Sequence, residues 1–129
     1  MSLATQLTFQ MKNERGALAT LCSELAKVAV NITGIQVPDE PGRASIRIVA
    51  TPVDTAKKIL EKMGYQYREE AVLTAHLPDR PGALGKLTRK LTEKGIDILY
   101  CYATIERGTD RAMVVMGVSD PRAASEFVK

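Results

Sequence analysis

The chain has 129 residues, 45% hydrophobic and 26% charged, with a formal net charge of +3. These are the proportions of a soluble globular protein. A charge this mild, with 5% aromatics and no Trp, lacks the basic stripe and stacking rings of a nucleic-acid binder.

In chain order, Met1-Ser2-Leu3 precedes the patterned sequence and reads as an appended remnant. Leu7, Phe9 and Met11 alternate with Thr8, Gln10 and Lys12, which predicts a strand with one apolar face. After the polar loop Asn13 to Arg15, a helix opens near Gly16 and carries Leu18, Leu21, Cys22, Leu25 and Val28 at helical spacing. Asn31 to Val37 predicts a second strand, Pro38 to Gly42 a turn, and Ala44 to Ala50 a third strand. A second helix starts at Pro52 to Asp54, with Val53, Ala56, Ile59, Leu60 and Met63 apolar and Gly64 as terminator. Tyr65 to Glu70 completes this unit and runs on with no Gly or Pro between.

The order then recurs. Val72 to Leu77 is a strand, Ala83 to Lys94 a helix with Leu84, Leu87 and Leu91 on one face, and Gly95 its end. Ile96 to Ile105 and Arg111 to Val118 pair around the turn 107–110, and Pro121 to Lys129 begins another helix. The repetition is literal. Asn13-Glu14-Arg15-Gly16-Ala17-Leu18 returns as Asp79-Arg80-Pro81-Gly82-Ala83-Leu84 at an offset of 66 positions. Leu7, Leu21, Leu25 and Ile32 match Leu73, Leu87, Leu91 and Ile98 at the same offset. A repeat this long is a small domain rather than a solenoid unit. Strand-helix-strand-strand-helix-strand is the ferredoxin-like split unit, with both helices on one face of an antiparallel sheet. The fold class expected is therefore α+β: two βαββαβ repeats, 5–70 and 71–129, packed together. The second lacks a visible last strand, so its sheet either has three strands or is completed from elsewhere.

Two copies of one loop imply two copies of one site. A glycine at a helix start leaves the first N–H groups open to a carboxylate, at the positive end of the helix dipole. Asn13 and Asp79 lie three residues earlier, where a side-chain oxygen either caps the helix or accepts from a ligand ammonium. Asn31 and Asp97 each sit between apolar residues at a strand entry. They mark a helix-to-strand turn or, if the split unit brings strand start and loop to one groove, a second contact. The Asn13/Asn31 pair is neutral. The Asp79/Asp97 pair favours an ammonium or other cation, and one of its pKa values rises if the two lie close and partly buried.

Asp79-Arg80-Pro81-Gly82-Ala83-Leu84 with Leu87, Leu91 and Gly95-Ile96-Asp97-Ile98 resembles the ACT domain, the small amino-acid-sensing module of metabolic enzymes. The first copy resembles it through Asn13, Gly16-Ala17-Leu18 and Val30-Asn31-Ile32. The resemblance implies ACT units that pair side by side and bind an amino acid at their interface, through this loop and the second strand of a neighbour. Its ligand contacts would fall on Asn13, Gly16, Ala17, Leu18 and Asn31, and on Asp79, Arg80, Pro81, Gly82, Ala83, Leu84 and Asp97. The histidine common two residues before the loop Asn is replaced by Met11 and Leu77, and Arg15 stands where proline is usual. His76 shares the parity of Thr74, away from the helix-covered face.

Catalysis lacks parts: one histidine, no nucleophile beside a base, no metal-ligand cluster and no phosphate loop. No cofactor and no metal are expected. Cys22, on the apolar stripe of the helix, and Cys101 are expected as buried reduced thiols. The absence of a leader-like or membrane-length apolar run argues for the cytoplasm and against a membrane. The expected function is a non-catalytic sensor of an amino acid that regulates a metabolic enzyme or other partner, as a homo-oligomer. The alternative is an interaction or oligomerisation module with a vestigial groove. Tyr100 and Tyr102, expected on one face with Ile98, are the only hint of nucleic-acid binding.

Overall fold

A computed structural model describes residues 2–12, 14–38, 43–105, 108 and 110–127. Ten elements follow the expected order: β1 (Ser2–Lys12), α1 (Ala17–Lys27), β2 (Asn31–Gln36), β3 (Arg43–Thr51), α2 (Val53–Lys62), β4 (Tyr67–Pro78), α3 (Ala83–Glu93), β5 (Ile98–Ile105), β6 (Arg111–Val118) and α4 (Pro121–Phe127). The turn expected at Pro38 to Gly42 falls largely outside the described residues, as do Arg107 and Thr109 of the second turn.

The chain divides into two compact units, one of Thr5–Glu70 and one of Ala71–Lys129 with Met1–Ala4. In the first, β3 pairs antiparallel with both β1 and β2. Its core is one cluster. Leu7, Phe9 and Met11 of β1 and Ile46 and Ile48 of β3 meet Leu21 and Leu25 of α1 and Ala56, Ile59 and Leu60 of α2. Each such fully buried aliphatic side chain contributes roughly 1.5–3 kcal/mol. In the second unit β6 pairs with β4 and β5, and Leu73, Ala75, Val114, Met116 and Val118 pack under Leu87, Leu91 and Ala124. The periodicity in the sequence located both cores because it is the physical reason the helices lie flat on the sheets.

Four expectations need correction. First, Ser2-Leu3 is no appendage. Residues 2–4 are β-strand and belong to the second unit, where the Thr74 hydroxyl donates to the Ser2 carbonyl at 3.4 Å. The sheet of the second unit is thus extended by residues from the other end of the chain. Second, β1 is covered on both faces: Gln6 is fully buried and Thr8 is 8% exposed, with Gln6 Nε2 donating to Thr8 Oγ1 at 3.3 Å. Third, Leu18 of α1, Val28 just after it and Leu84 of α3 are exposed rather than in the cores. Fourth, a register shift between Ile98 and Tyr100 adds Leu99 as an extra residue. A bulge flips side-chain parity. Ile98 and Cys101 therefore pack toward the helices, and Tyr100 and Tyr102 do not share the face of Ile98. Burial pushes the Cys101 thiol above the ordinary thiol range. Cys22 and Cys101 are both free and only partly buried.

The two copies close their first helices with matching backbone bonds. The N–H groups of Val30 and Ile96 donate to the carbonyls of Leu25 and Leu91, both at 3.0 Å. The residue before each has positive φ: Gly95 at 74° and Ala29 at 58°. An L-residue pays about 1–2 kcal/mol in that region. Replacing Ala29→Gly should therefore stabilise the protein, by up to about 1 kcal/mol after the entropy gained by the unfolded chain is subtracted. Urea unfolding of the variant checks it. The opposite sign is expected for Gly117→Ala, because a Cβ there would strike the Tyr100 ring. Overpacking of this kind costs about 1–3 kcal/mol, and the double variant Gly117→Ala with Tyr100→Ala should recover part of the loss.

Candidate functional site

The repeated loop has the same backbone in both copies. The N–H groups of Glu14 and Arg80 donate to the carbonyls of Lys12 and Pro78, at 2.8 and 2.9 Å. Those of Ala17 and Ala83 donate to Glu14 and Arg80, at 3.2 and 3.3 Å. Those of Thr20 and Lys86 donate to Gly16 and Gly82, at 2.9 and 3.0 Å. Gly16 (φ 86°) and Gly82 (φ 90°) are left-handed N-caps. Nothing lies within 4 Å of where their Cβ atoms would be, so the demand for glycine comes from the backbone angle and not from crowding. Among the described residues, the N–H groups of Leu18 and Ala19, and of Leu84 and Gly85, have no acceptor. Two open donors at the positive end of each helix form a cradle suited to a carboxylate.

Around that cradle, Ala17 and Ala83 are partly buried. Leu18, Arg80, Pro81 and Leu84 are exposed. Asn13 lies outside the described residues, so the first copy's loop oxygen has no structural account. Asp79 is exposed, and its backbone N–H donates to the Asp110 carbonyl at 2.6 Å. Its carboxylate caps nothing among the described residues. Met11 and Leu77, standing at the family's histidine positions, join the cores. His76 is exposed and pairs with Met113 in the ladder.

The groove expected to join Asp79 to Asp97 within one unit does not form. Asp79 bonds to Asp110, which precedes the first residue of β6. Asp97 donates its N–H to Ser119 Oγ at 3.0 Å and accepts from the Ser119 N–H at 2.9 Å, just past the last residue of β6. The eight residues of β6 lie between. At about 3.3 Å per residue the separation is roughly 26 Å. In the first unit Lys12 pairs with Arg43 and Asn31 with Thr51, at opposite ends of β3. The reason is topological: strand, helix, strand returns the second strand to the far end of the first. Both aspartates are exposed.

Among the described residues, cavities lie within single units. One, of about 730 Å³, runs along Thr8 to Lys12, Ser45 and Gly64 to Arg68 of the first unit. Another, of about 240 Å³, lies at the second copy's loop, between Leu77, Pro78, Arg80, Ala83, Lys86, Leu87 and Lys90. It contains Arg80 and Ala83 of the expected site, and Lys86 and Lys90, which the sequence reading passed over. Their spacing of four on one helix face was the available signal. Among the described residues no group of three His, Cys, Asp or Glu side chains could hold a metal. None of the described helices is long and apolar enough to cross a membrane.

The left-handed caps yield a direct test. Gly16→Ala and Gly82→Ala should each cost about 1–2 kcal/mol, and Gly82→Asn less, because Asn tolerates that region. Equal losses for Ala and Asn in urea unfolding would contradict the backbone-angle account.

No protein-family model matches the chain, and no curated protein does. Solved structures do. A protein of Bacteroides thetaiotaomicron is 26% identical, with 96% of this chain and 85% of that one covered and a TM-score of 0.88. The regulatory subunit of aspartate kinase from Thermus thermophilus, in its ligand-free form, is 15% identical, with 98% and 94% covered and a TM-score of 0.70. The corresponding subunit from Thermus flavus is 12% identical, with 97% and 89% covered and a TM-score of 0.66. The aspartate kinase regulatory subunits are ACT-domain folds built of βαββαβ repeats. This chain has the ACT-domain fold.

Proposed function

We propose that this chain is a non-catalytic regulatory module that binds an amino acid at the loop entering α1 or α3 and passes the bound state to a partner. The observation that carries the reading is the doubled cradle: a left-handed glycine and two open helix N–H groups, kept in both copies with the same hydrogen bonds. Regulatory subunits of aspartate kinase with this fold support it. The strand-entry residues Asn31 and Asp97 lie too far from the loops of their own units to share a ligand with them. A site using both would take its strand entry from another such unit, and a second copy of the chain, in a homo-oligomer, would supply one. A ligand bound there favours one assembly over another only by its unequal affinity for the two, and a regulated enzyme would read that difference.

Thermal shift with each of the twenty amino acids tests this. A specific ligand at 100 times its dissociation constant should add about 2.7 kcal/mol of stability, and Gly82→Ala should weaken the response. The second reading, an interaction module, is favoured by Leu18 and Leu84, exposed at matched positions of the two helix starts. No response to any amino acid would leave that reading standing and remove the sensor.

A further inference from the structure

The two copies share a backbone at the loop but not its charge. The groove of the second unit has an apolar floor of Leu77, Pro78, Ala83 and Leu87, bordered by the long side chains of three cations, Arg80, Lys86 and Lys90, whose charged ends contribute almost none of its lining. At the offset of 66, the first copy has Glu14, Thr20 and Glu24 in place of those three cations. The first copy folds with the same caps and the same helix, so neither fold nor helix stability calls for the cations. None of the three makes an ion pair or side-chain hydrogen bond with a described residue, whereas Glu24 of the first copy is bound to Lys27 at 2.8 Å. Asp79 adjoins Arg80 in sequence but does not line the groove.

We infer that the second-unit groove takes a short aliphatic dicarboxylate, and that the first copy does not. The inference rests on the small-molecule reading of the loop and names the ligand's charge. It also reverses the cation preference that Asp79 and Asp97 suggested. Three unpaired cations favour more than one negative charge, and the apolar floor favours a hydrocarbon spacer over a bare inorganic anion. A volume of about 240 Å³ is below the 300 Å³ lower end of drug-sized pockets, so the ligand is compact. Lys86 and Lys90 stand one helical turn apart, with Cβ atoms about 5–6 Å from one another. That spacing lets two ammonium groups serve two carboxylates on one short chain.

Glutarate is the probe, with L-glutamate to show whether an amino group matters and L-glutamine and sulfate as controls. Calorimetric titration of the full chain at low salt should show glutarate binding at least tenfold tighter than sulfate or L-glutamine, and weakening as salt rises. If L-glutamate matches or exceeds glutarate, the physiological ligand is an acidic amino acid; if it is weaker, it is a dicarboxylate without the amino group. Lys86→Gln with Lys90→Gln should reduce glutarate affinity at least tenfold, while Glu14→Gln with Glu24→Gln should leave it unchanged. Lys86, Lys90 and Glu14 are exposed and Glu24 is partly so, and circular dichroism checks that both variants fold. Unchanged affinity in the lysine variant, or sulfate binding as tightly as glutarate, overturns the inference. So does a protein that ignores glutarate and L-glutamate but binds another amino acid, an outcome that preserves the sensor reading. Silence toward every amino acid and dicarboxylate overturns both.

Discussion

One backbone angle organises each half of this molecule. At Gly16 and Gly82 the chain leaves a strand and must enter a helix that lies back across the same sheet, and it makes the turn with φ near 90°. Only with that turn in place do Leu21 and Leu25, or Leu87 and Leu91, come down on the sheet and close a core. The same turn leaves two N–H groups of the first helical turn facing outward without acceptors. Packing and binding capacity therefore share a cause. The glycine is retained for conformation, and the exposed donors follow from it.

The parts of the fold visible in the sequence were those governed by local periodicity. Alternation at Leu7, Phe9 and Met11 and helical spacing at Leu21 and Leu25 each report which face is buried, and the offset of 66 shows that the unit occurs twice. Long-range pairing has no such local trace. Nothing in Ser2-Leu3-Ala4 announces that these residues join the second unit, since their partner strand lies some seventy positions away. The bulge at Leu99 is equally silent, and one extra residue was enough to separate Tyr100 from the face of Ile98. Leu18 and Leu84 fit the helical stripe by spacing alone, yet at the first turn they remain exposed.

The candidate site was legible in a similar measure. The loop and its glycine were found because they recur. The pairing of loop with strand entry inside one unit failed on topology, because a strand-helix-strand unit sets those two points at opposite ends of the sheet. The cationic groove was missed because the search for likeness between copies passes over the positions where they differ. Glu14, Thr20 and Glu24 against Arg80, Lys86 and Lys90 is a contrast at matched positions on a common backbone. Duplication supplies its own control, and a change that the fold does not require points toward what is bound.

The central claim is that small molecules engage the helix starts after Gly16 and Gly82. An amide-resolved NMR titration with the amino acids and glutarate tests it most directly. The account predicts that the backbone amides of residues 83–85, or of 17–19, shift first and saturate with the ligand. Saturable shifts confined to other parts of the chain, with these amides unmoved, would contradict it.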